Sequence, residues 1–333
     1  MNPSPKHNNW GSYGSACFNS RKRLALNTAP DRYLIDPPRK WRQTVVCVYR
    51  GNGRQPRSNE VASFKACQIK TLTVSNTSIT EAEFQRNEYI RYVSICRGPL
   101  KEIPDTINNL MNLVSVRFEF TDIERLEMRL FCSMPRLVAL NLISNKITTI
   151  VGMNDTVCST SLGQLNLIEN AIVTLDLNVF SPFRNLRYLD LTYNMLKAVT
   201  GQPSNTAIQY LMLCHNALSE HDFCSIDKPG RLTNLQMSNN NLTRVPPCLH
   251  KLNNLTIVTL EHNQIDSVDL AELKPLSKLE YINLSFNNIT ALPTDESLYP
   301  PKLKVLHLFK NPLDVNFSTQ AFERIRVSLN SYV

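Results

Sequence analysis

The sequence predicts an α/β solenoid, in which a parallel β-sheet lines the concave side and irregular segments, 3-10 turns and short helices line the convex side. Three observations lead to this fold class. Apolar residues begin a similar segment about every 24 residues, they alternate with polar residues within the segment, and an asparagine follows at a fixed distance. Each unit then buries its apolar face against its neighbours, because it has no core of its own.

The repeating unit has the form L-x-x-L-x-L-x-x-N-x-L, and its most regular copies begin at Leu137, Leu186 and Leu303. Successive starts lie 21 to 25 residues apart and define about 11 units. The first apolar positions are Ile69, Ile90, Leu113, Leu137, Leu162, Leu186, Ile208, Leu232, Leu255, Leu279 and Leu303.

The unit that begins at Leu232 shows why each segment is expected to contain a strand. Leu235 and Met237 alternate with polar residues, so one side of a short strand faces the core. Asn240 stands where the chain turns off the strand. Its amide is expected to bond backbone groups of adjacent turns, which would otherwise be buried without partners.

Asparagine occupies this turn in eight units, and we call the series the Asn ladder. Its members are Asn145, Asn170, Asn194, Asn216, Asn240, Asn263, Asn287 and Asn311. The first three units have Thr77, Gly98 and Thr121 in the same place. Because Gly98 offers no side-chain bond, we expect the N-terminal repeats to be less regular.

The repeat pattern resembles that of the leucine-rich-repeat family over about residues 69–315. The resemblance implies a horseshoe that binds other molecules on its concave sheet and seldom catalyses a reaction. The irregular repeats and terminal segments also resemble secreted leucine-rich-repeat proteins of insects, including mosquito immune proteins of complement-like defence. Those carry a coiled coil after the repeats, and this chain has none. The narrower resemblance implies a role in innate immunity.

Four segments are expected along the chain: a basic flexible leader at 1–40, an N-terminal cap at 41–68, the repeats at 69–315 and a short C-terminal capping helix at 316–333. Thr44–Tyr49 reads as a strand of the N-terminal cap, pairing with the first repeat. Ser318 suits a helix N-cap, followed by Phe322, Ile325 and Leu329 on one face. Extracellular family members have cysteine where this chain has Val315.

The positive charge belongs to the leader rather than to the repeats. Residues 1–57 contain 11 of the 36 basic and 2 of the 28 acidic residues, which leaves 25 basic and 26 acidic residues for the rest. A nucleic-acid-binding arm is an alternative for the leader. The repeats are close to neutral, so no nucleic-acid partner is expected.

Cysteine positions predict three disulfides. Cys224 and Cys248 each follow their repeat start by 16 residues, so they should stack one repeat apart. The other two pairs are Cys132 with Cys158, which precede consecutive starts, and Cys47 with Cys67, where the resemblance implies a disulfide-bonded cap. The remaining cysteines, Cys17, Cys96 and Cys214, are free thiols, or Cys17 or Cys214 links two chains.

Different features of the sequence favour different cellular compartments for this protein. No apolar run reaches the ~20 residues that span a bilayer, and the N-terminus has no signal-peptide core, which favours the cytoplasm. The cysteines favour secretion, and a first exon missing from the gene model would reconcile the two. Among the N-x-S/T sequons, Asn241 and Asn288 lie in exposed turns suited to glycan.

Residues of the strands that point away from the core form columns across the concave sheet, and aromatic residues concentrate in the later units. Exposed rings among polar residues favour a protein-binding face. An alternative is that the rings only stabilise the sheet. The candidate partner-binding residues are Tyr188, Tyr193, Tyr210, His215, His262, Tyr281, Phe286 and Phe309.

Catalytic and metal sites have weaker support. Cys214 and His215 are adjacent in sequence, so their side chains diverge on a strand. His215 and His262 are two repeats apart, about 10 Å, which is too far to share a zinc ion. We therefore expect no enzyme, cofactor or metal. The first hypothesis is an extracellular recognition protein with a protein ligand, and the second is a cytosolic leucine-rich-repeat scaffold or signalling regulator.

Overall fold

A computed structural model describes residues 62–64, 70–75, 78–153, 158–202, 207–220, 223–225, 230–315 and 317–329. All of them belong to the unit that spans Thr44–Val333. The leader, the strand expected at Thr44–Tyr49 and the pair Cys47–Cys67 lie outside the described residues.

A parallel sheet of twelve strands runs through the repeats, and each strand pairs with the strand of the next repeat. The first eleven strands coincide with the eleven predicted units. The twelve are β2 (Thr71–Ser75), β4 (Tyr92–Cys96), β5 (Ser115–Glu119), β7 (Ala139–Asn141), β9 (Gln164–Asn166), β11 (Tyr188–Asp190), β13 (Tyr210–Met212), β14 (Asn234–Gln236), β15 (Ile257–Thr259), β16 (Tyr281–Asn283), β17 (Val305–His307) and β18 (Arg326–Ser328).

The register of this sheet places equivalent residues of successive repeats side by side. Leu189 of β11 is opposite Leu165 of β9 on one side and Leu211 of β13 on the other. All three are at most 2% exposed. The leucines of the pattern therefore form continuous buried columns, and the residues between them form columns on the concave face.

The returning part of each repeat is built from short segments. Three pairs of short parallel strands lie there, β1 (Ala62–Phe64) with β3 (Ala82–Phe84), β6 (Arg125–Glu127) with β8 (Thr149–Val151), and β10 (Thr174–Asp176) with β12 (Ala198–Thr200). Among the described residues, short 3-10 helices occur at Asp105–Asn109, Met128–Phe131, Leu177–Phe180, Leu249–Lys251, Glu296–Leu298 and Thr319–Ala321, and one α-helix, α1, spans Leu270–Leu273. Within the described ranges, no helix has the length and apolarity needed to cross a bilayer.

Each asparagine of the Asn ladder bonds its own repeat and the preceding one. Asn263 Nδ2 donates to the carbonyls of Met237 at 3.1 Å and Leu260 at 2.9 Å, and its Oδ1 accepts the amide N–H of Leu242 at 3.0 Å. Asn170 and Asn240 make the equivalent bonds. These side chains are the partners of backbone groups that the turn leaves buried and unpaired within their own strand.

The first repeats keep their sheet without the ladder, so the expected loss of regularity does not extend to the strands. β2, β4 and β5 are the longest strands, with five residues each. Their register is continuous because it comes from bonds between backbones and not from the turn side chain. At the boundary, the Thr121 hydroxyl donates to Asn145 Oδ1 and joins the two parts.

The C-terminal capping helix predicted within 316–333 is wrong. Ser318 does accept a bond from Gln320 N–H, but the helical turn ends at Ala321. The chain then forms β18, whose Val327 lies opposite Leu306. Apolar residues two apart extend the sheet here, and this pairing prevails over the helical spacing of Phe322, Ile325 and Leu329.

Hydrogen bonds of Glu296 and Arg324 hold this last strand against the preceding repeat. The Glu296 carboxylate accepts the amide N–H groups of Arg324 and Ile325, both at 2.9 Å. The Arg324 guanidinium donates to the carbonyls of Pro300 and Leu303 at 3.0 and 3.1 Å. A side chain thus satisfies carbonyls at a turn that has no asparagine.

Two of the three expected disulfides are present in the described residues. Cys132 is bonded to Cys158, with Cα atoms 4.5 Å apart, and Cys224 to Cys248, with Cα atoms 4.9 Å apart. Cys96 is free. Cys214 is buried and disulfide-bonded, which corrects the expectation of a free thiol there and leaves that sulfur unavailable for a link between chains. Cys17 lies outside the described residues.

We expect Asn263→Ala to lower the free energy of unfolding by about 3 kcal/mol, because the change orphans buried backbone groups on two repeats. Gln264→Ala changes the adjacent, exposed residue and is the matched control, with an expected change below about 0.5 kcal/mol. Denaturant unfolding followed by circular dichroism measures both. Equal stability of the two variants would contradict the role given to the Asn ladder.

Candidate functional site: the concave face of repeats six to eleven

The candidate residues fall into two columns and one neighbouring position. Tyr188, Tyr210 and Tyr281 are the first residues of β11, β13 and β16. Tyr193, His215, His262 and Phe286 each lie three residues after the last residue of their strand, and Phe309 lies near the same edge. Tyr210 is 39% exposed and the other candidates are half-buried. The sheet therefore brings the sequence-predicted residues to one face, in two lines.

The residues that follow the strands share an unusual backbone conformation. We call them the strand-exit column, and each has a φ between 54° and 59°. This left-handed region suits glycine and costs other residues about 1 kcal/mol or more. The column contains Arg97, Phe120, Ser144, Glu169, Tyr193, His215, Asn239, His262, Phe286 and Lys310, with no glycine among them.

Rings of the strand-exit column stack on one another. Tyr193 and His215 have centroids 4.0 Å apart and planes 8° apart, and His262 and Phe286 are 4.0 Å and 13° apart. Phe286 meets Phe309 edge-on at 5.1 Å. Each such pair contributes about 0.5–1.5 kcal/mol beyond its area, which offsets part of the backbone strain. The contacts join these rings into two stacked pairs, one of which is extended by Phe309.

The line of tyrosines adjoins a buried carboxyl group. The Tyr188 hydroxyl donates to Asp190 Oδ2 at 3.0 Å and lies 3.0 Å from Met212 Sδ. Its ring is 6.4 Å from the ring of Tyr210. Asp190 is 5% exposed, and burial raises the pKa of its carboxyl above the ordinary value.

Asp190 stands where other repeats have asparagine. Its Oδ1 accepts the amide N–H of Thr192 at 3.0 Å. Asn166 and Asn283 accept the corresponding N–H of their own repeats at 3.1 and 3.0 Å. The backbone bond therefore needs a carbonyl-type oxygen but no charge, and the charge at Asp190 is an addition to the pattern.

Two histidines of this face, His262 and His307, have a lowered pKa, which favours their neutral form. Burial lowers the pKa of His262, and the nearby His215 lowers it further by charge repulsion. Burial also lowers the pKa of His307, helped by Arg326. The Tyr281 ring lies 5.4 Å from the His307 ring. Near neutral pH the two imidazoles act as aromatic, hydrogen-bonding groups more than as cations.

The remaining chemistry of this face is limited. Cys214 is disulfide-bonded, so it has no thiolate to serve as the nucleophile considered with His215. In the part of the chain that the structure describes, no group of three or more His, Cys, Asp or Glu residues is placed to hold a metal ion. The groups that this face presents are aromatic rings, imidazoles and hydrogen-bonding side chains.

Sequence reasoning missed Asp190, Met212 and His307 as members of this face. All three are the last residues of their strands and lie on the concave side. The sequence contained the information needed to find them, because a residue two positions after Tyr188, Tyr210 or Val305 lies on the same side of its strand. The sequence did not predict the backbone strain of the strand-exit column, since that strain is recognised from the φ angles.

Comparison with known proteins agrees with the repeat pattern. Models of the leucine-rich repeat match residues 253–313 and 231–252. The chain is a leucine-rich-repeat protein. It is similar to lumican from Bos taurus, with 34% identity over 167 residues, which are 48% of this chain and 46% of lumican. This leucine-rich-repeat chain therefore spans less than half the length of that lumican.

Two further likenesses extend over more of the chain. Keratocan from Coturnix japonica is 26% identical over 270 residues, which cover 76% of this chain and 69% of keratocan. One chain of the Toll–Spatzle complex of Drosophila superposes with a TM-score of 0.59 and 21% identity, over 74% of this chain and 35% of that one. The structural likeness shows the same leucine-rich-repeat fold.

We expect Asp190→Asn to raise the stability of the protein at neutral pH. A carboxyl whose pKa is raised by folding stabilises most below its unfolded pKa, about 4, and that contribution is lost as the pH rises toward the folded pKa. An amide has no such dependence and can still accept the Thr192 N–H. Urea midpoints measured from pH 4 to 8 should therefore diverge, with the variant higher at pH 8.

The reverse change on another strand is the matched control. Asn141 is also 5% exposed and accepts the N–H of Ile143 at 3.3 Å. Asn141→Asp should lower the midpoint at pH 8 more than at pH 4. Parallel pH curves for wild type and both variants would contradict the assignment of a raised pKa to buried carboxyl groups in this column.

Proposed function

We propose that this leucine-rich-repeat protein is a non-enzymatic recognition protein that binds a protein partner outside the cell. The proposed contact surface is the concave face of repeats six to eleven, with rings from the line of tyrosines and from the strand-exit column. A role in innate immunity is the narrower form of this proposal, and it rests on the resemblance to secreted insect proteins.

One observation carries the proposal: aromatic and imidazole rings occupy positions where the backbone favours glycine. Tyr193, His215, His262 and Phe286 have positive φ, which is costly for bulky residues. Glycine would remove that cost but would leave no side chain on the face. Retention of large side chains at strained positions supports their use in contact with another molecule.

Stabilisation of the sheet is the alternative reading of these rings. This alternative explains the stacked pairs Tyr193–His215 and His262–Phe286, because each of these rings already contacts another ring of the protein. It does not suit Tyr210, which is tilted at 37° to Tyr188 and keeps 39% of its surface exposed. Tyr210 is therefore the residue on which the binding proposal depends most.

A protein partner fits the chemistry of this face. Tyrosine provides apolar area at low entropic cost and keeps a hydroxyl for hydrogen bonding, which is why it is enriched at protein interfaces. The flanking side chains, Asp190, Met212 and His307, add a carboxyl, a thioether and an imidazole. One of the structures with this fold is the complex of Toll with Spatzle.

The extracellular location is supported by the cysteines. Five of the six cysteines in the described residues are disulfide-bonded. Disulfides persist in oxidising compartments and are rare in the cytosol. The cytosolic scaffold is the competing hypothesis, and the state of these cysteines in the native protein distinguishes the two.

We expect Tyr210→Ala combined with Tyr281→Ala to weaken partner binding at least tenfold, about 1.4 kcal/mol, while the fold is kept. Both side chains lie on the concave face outside the apolar core. The measurement compares proteins recovered from extracellular fluid of the source tissue with immobilised wild-type and variant chains, followed by affinity measurement for each recovered protein.

Tyr89→Ala is the control for that experiment, because Tyr89 is 52% exposed and lies at the end of the first repeat, away from repeats six to eleven. Its variant should bind as the wild type does. Equal binding by the double variant and the wild type would remove the site assignment. Equal loss in the Tyr89 variant would also contradict it.

We expect alkylation of native protein without reduction to label Cys96 and to leave Cys132, Cys158, Cys214, Cys224 and Cys248 unlabelled. The protein must come from its own cells with thiols blocked at lysis, and peptide mass mapping reads each site. Labelling of all six cysteines would overturn the extracellular proposal in favour of the cytosolic scaffold.

A further inference from the structure

We infer that Asn241 and Asn288 are a pair of N-glycosylation sites, and that the fold excludes glycan from the sequons at Asn254 and Asn283. The natural occurrence of these glycans rests on the extracellular part of the proposed function. Their selection among the sequons was expected from their place in the repeat, and it rests on the exposure of the two asparagines in the structure. The sequons at Asn76, Asn154 and Asn316 lie outside the described residues.

The two proposed sites are equivalent positions of different repeats. Each asparagine comes directly after a member of the Asn ladder, Asn240 or Asn287, in repeats eight and ten. At about 4.8 Å per strand their attachment points are about 10 Å apart. Both sites thus lie along the edge of the sheet where the strands end.

The local backbone turns both sequons outward. The amide N–H of Asn241 donates to the Leu218 carbonyl at 2.8 Å, and that of Asn288 donates to Ile265 at 2.8 Å. The middle residues of the two sequons, Leu242 and Ile289, are buried. Because side chains alternate along an extended chain, the asparagine and the threonine of each sequon are exposed.

The same test excludes Asn283 and disfavours Asn254. Asn283 has no exposed surface, and its amide donates to the buried carboxylate of Glu261. Asn254 is half-buried and held on both sides: its Nδ2 donates to the Gly230 carbonyl at 2.8 Å, and its Oδ1 accepts Lys278 Nζ at 2.6 Å. A sugar at either place displaces contacts that the repeats use for packing.

The reaction requires a free side-chain nitrogen and an accessible hydroxyl. Nδ2 of the asparagine attacks C1 of an oligosaccharide carried on a lipid diphosphate. The N–C1 bond forms as the C1–O bond to the diphosphate breaks, the amide loses one proton, and the lipid diphosphate leaves. In the finished protein the sugar must have room, and only exposed asparagines provide it.

The location of the pair constrains the partner of the concave face. Asn241 is two residues after Asn239, and Asn288 is two residues after Phe286, both in the strand-exit column. Glycans at the two positions border this column at the strand-exit edge. A partner that contacts the rings therefore approaches over the opposite edge, where Tyr210 and Tyr281 begin their strands.

The test is site-by-site glycan occupancy of the full chain, expressed behind an added cleavable secretion signal in cultured insect cells. Enzymatic release of the glycans converts each occupied asparagine to aspartate, which peptide mass spectrometry detects. We expect occupancy above about half at Asn241 and Asn288 and below about one tenth at Asn254 and Asn283. Asn241→Gln and Asn288→Gln should each remove one glycan from the intact mass.

Because the secretion signal is added, this result does not depend on where the protein resides naturally. Unoccupied Asn241 and Asn288 in the secreted, folded chain would overturn the inference. Occupied Asn283 or Asn254 in folded protein would overturn the exclusion. Glycans on the expressed chain but none on protein from its own cells would leave the sites standing and contradict the extracellular proposal instead.

Discussion

The structure depends on one constraint: every repeat turns its chain off the sheet inside the protein, so backbone groups at the turn need partners where water is absent. Asn263 shows the solution, since its amide bonds the carbonyls of two repeats and accepts one backbone N–H. Each such residue joins a repeat to the one before it. The bond joins the turns of successive repeats, while the register of the strands comes from hydrogen bonds between their backbones.

A fixed register converts single residues of the repeat into continuous columns, and the columns on the concave side form the proposed binding face. The same turn that presents the Asn ladder to the core forces the preceding residue into the left-handed region. That residue must point outward. The strand-exit column thus combines a backbone cost with an exposed side chain, and Tyr193 and Phe286 show that large rings are placed there despite the cost.

Where the sequence departs from the repeat pattern, the structure shows which side chains the fold requires and which it only accommodates. Asparagine suffices for the equivalent backbone bond in other repeats, so the fold does not require the buried carboxyl of Asp190, whose pKa is raised by burial. Arg324 and Glu296 bond backbone groups that precede the last two strands and so join β18 to the preceding repeat. Sequons at different positions of the repeat differ in the exposure of their asparagine. Asn288 is exposed to solvent, whereas Asn283 is fully buried.

The sequence by itself determined the period, the eleven strands, the Asn ladder and the pairs Cys132–Cys158 and Cys224–Cys248, because each follows from spacing within a unit that neighbours repeat. The tertiary structure decided the rest. It converted the expected helix after Ser318 into β18, since pairing with Leu306 and Leu308 outweighs helical spacing. It also buried Cys214 and Asp190 and stacked the rings. Burial, stacking and backbone strain depend on the adjacent repeats, and no single unit of sequence contains them.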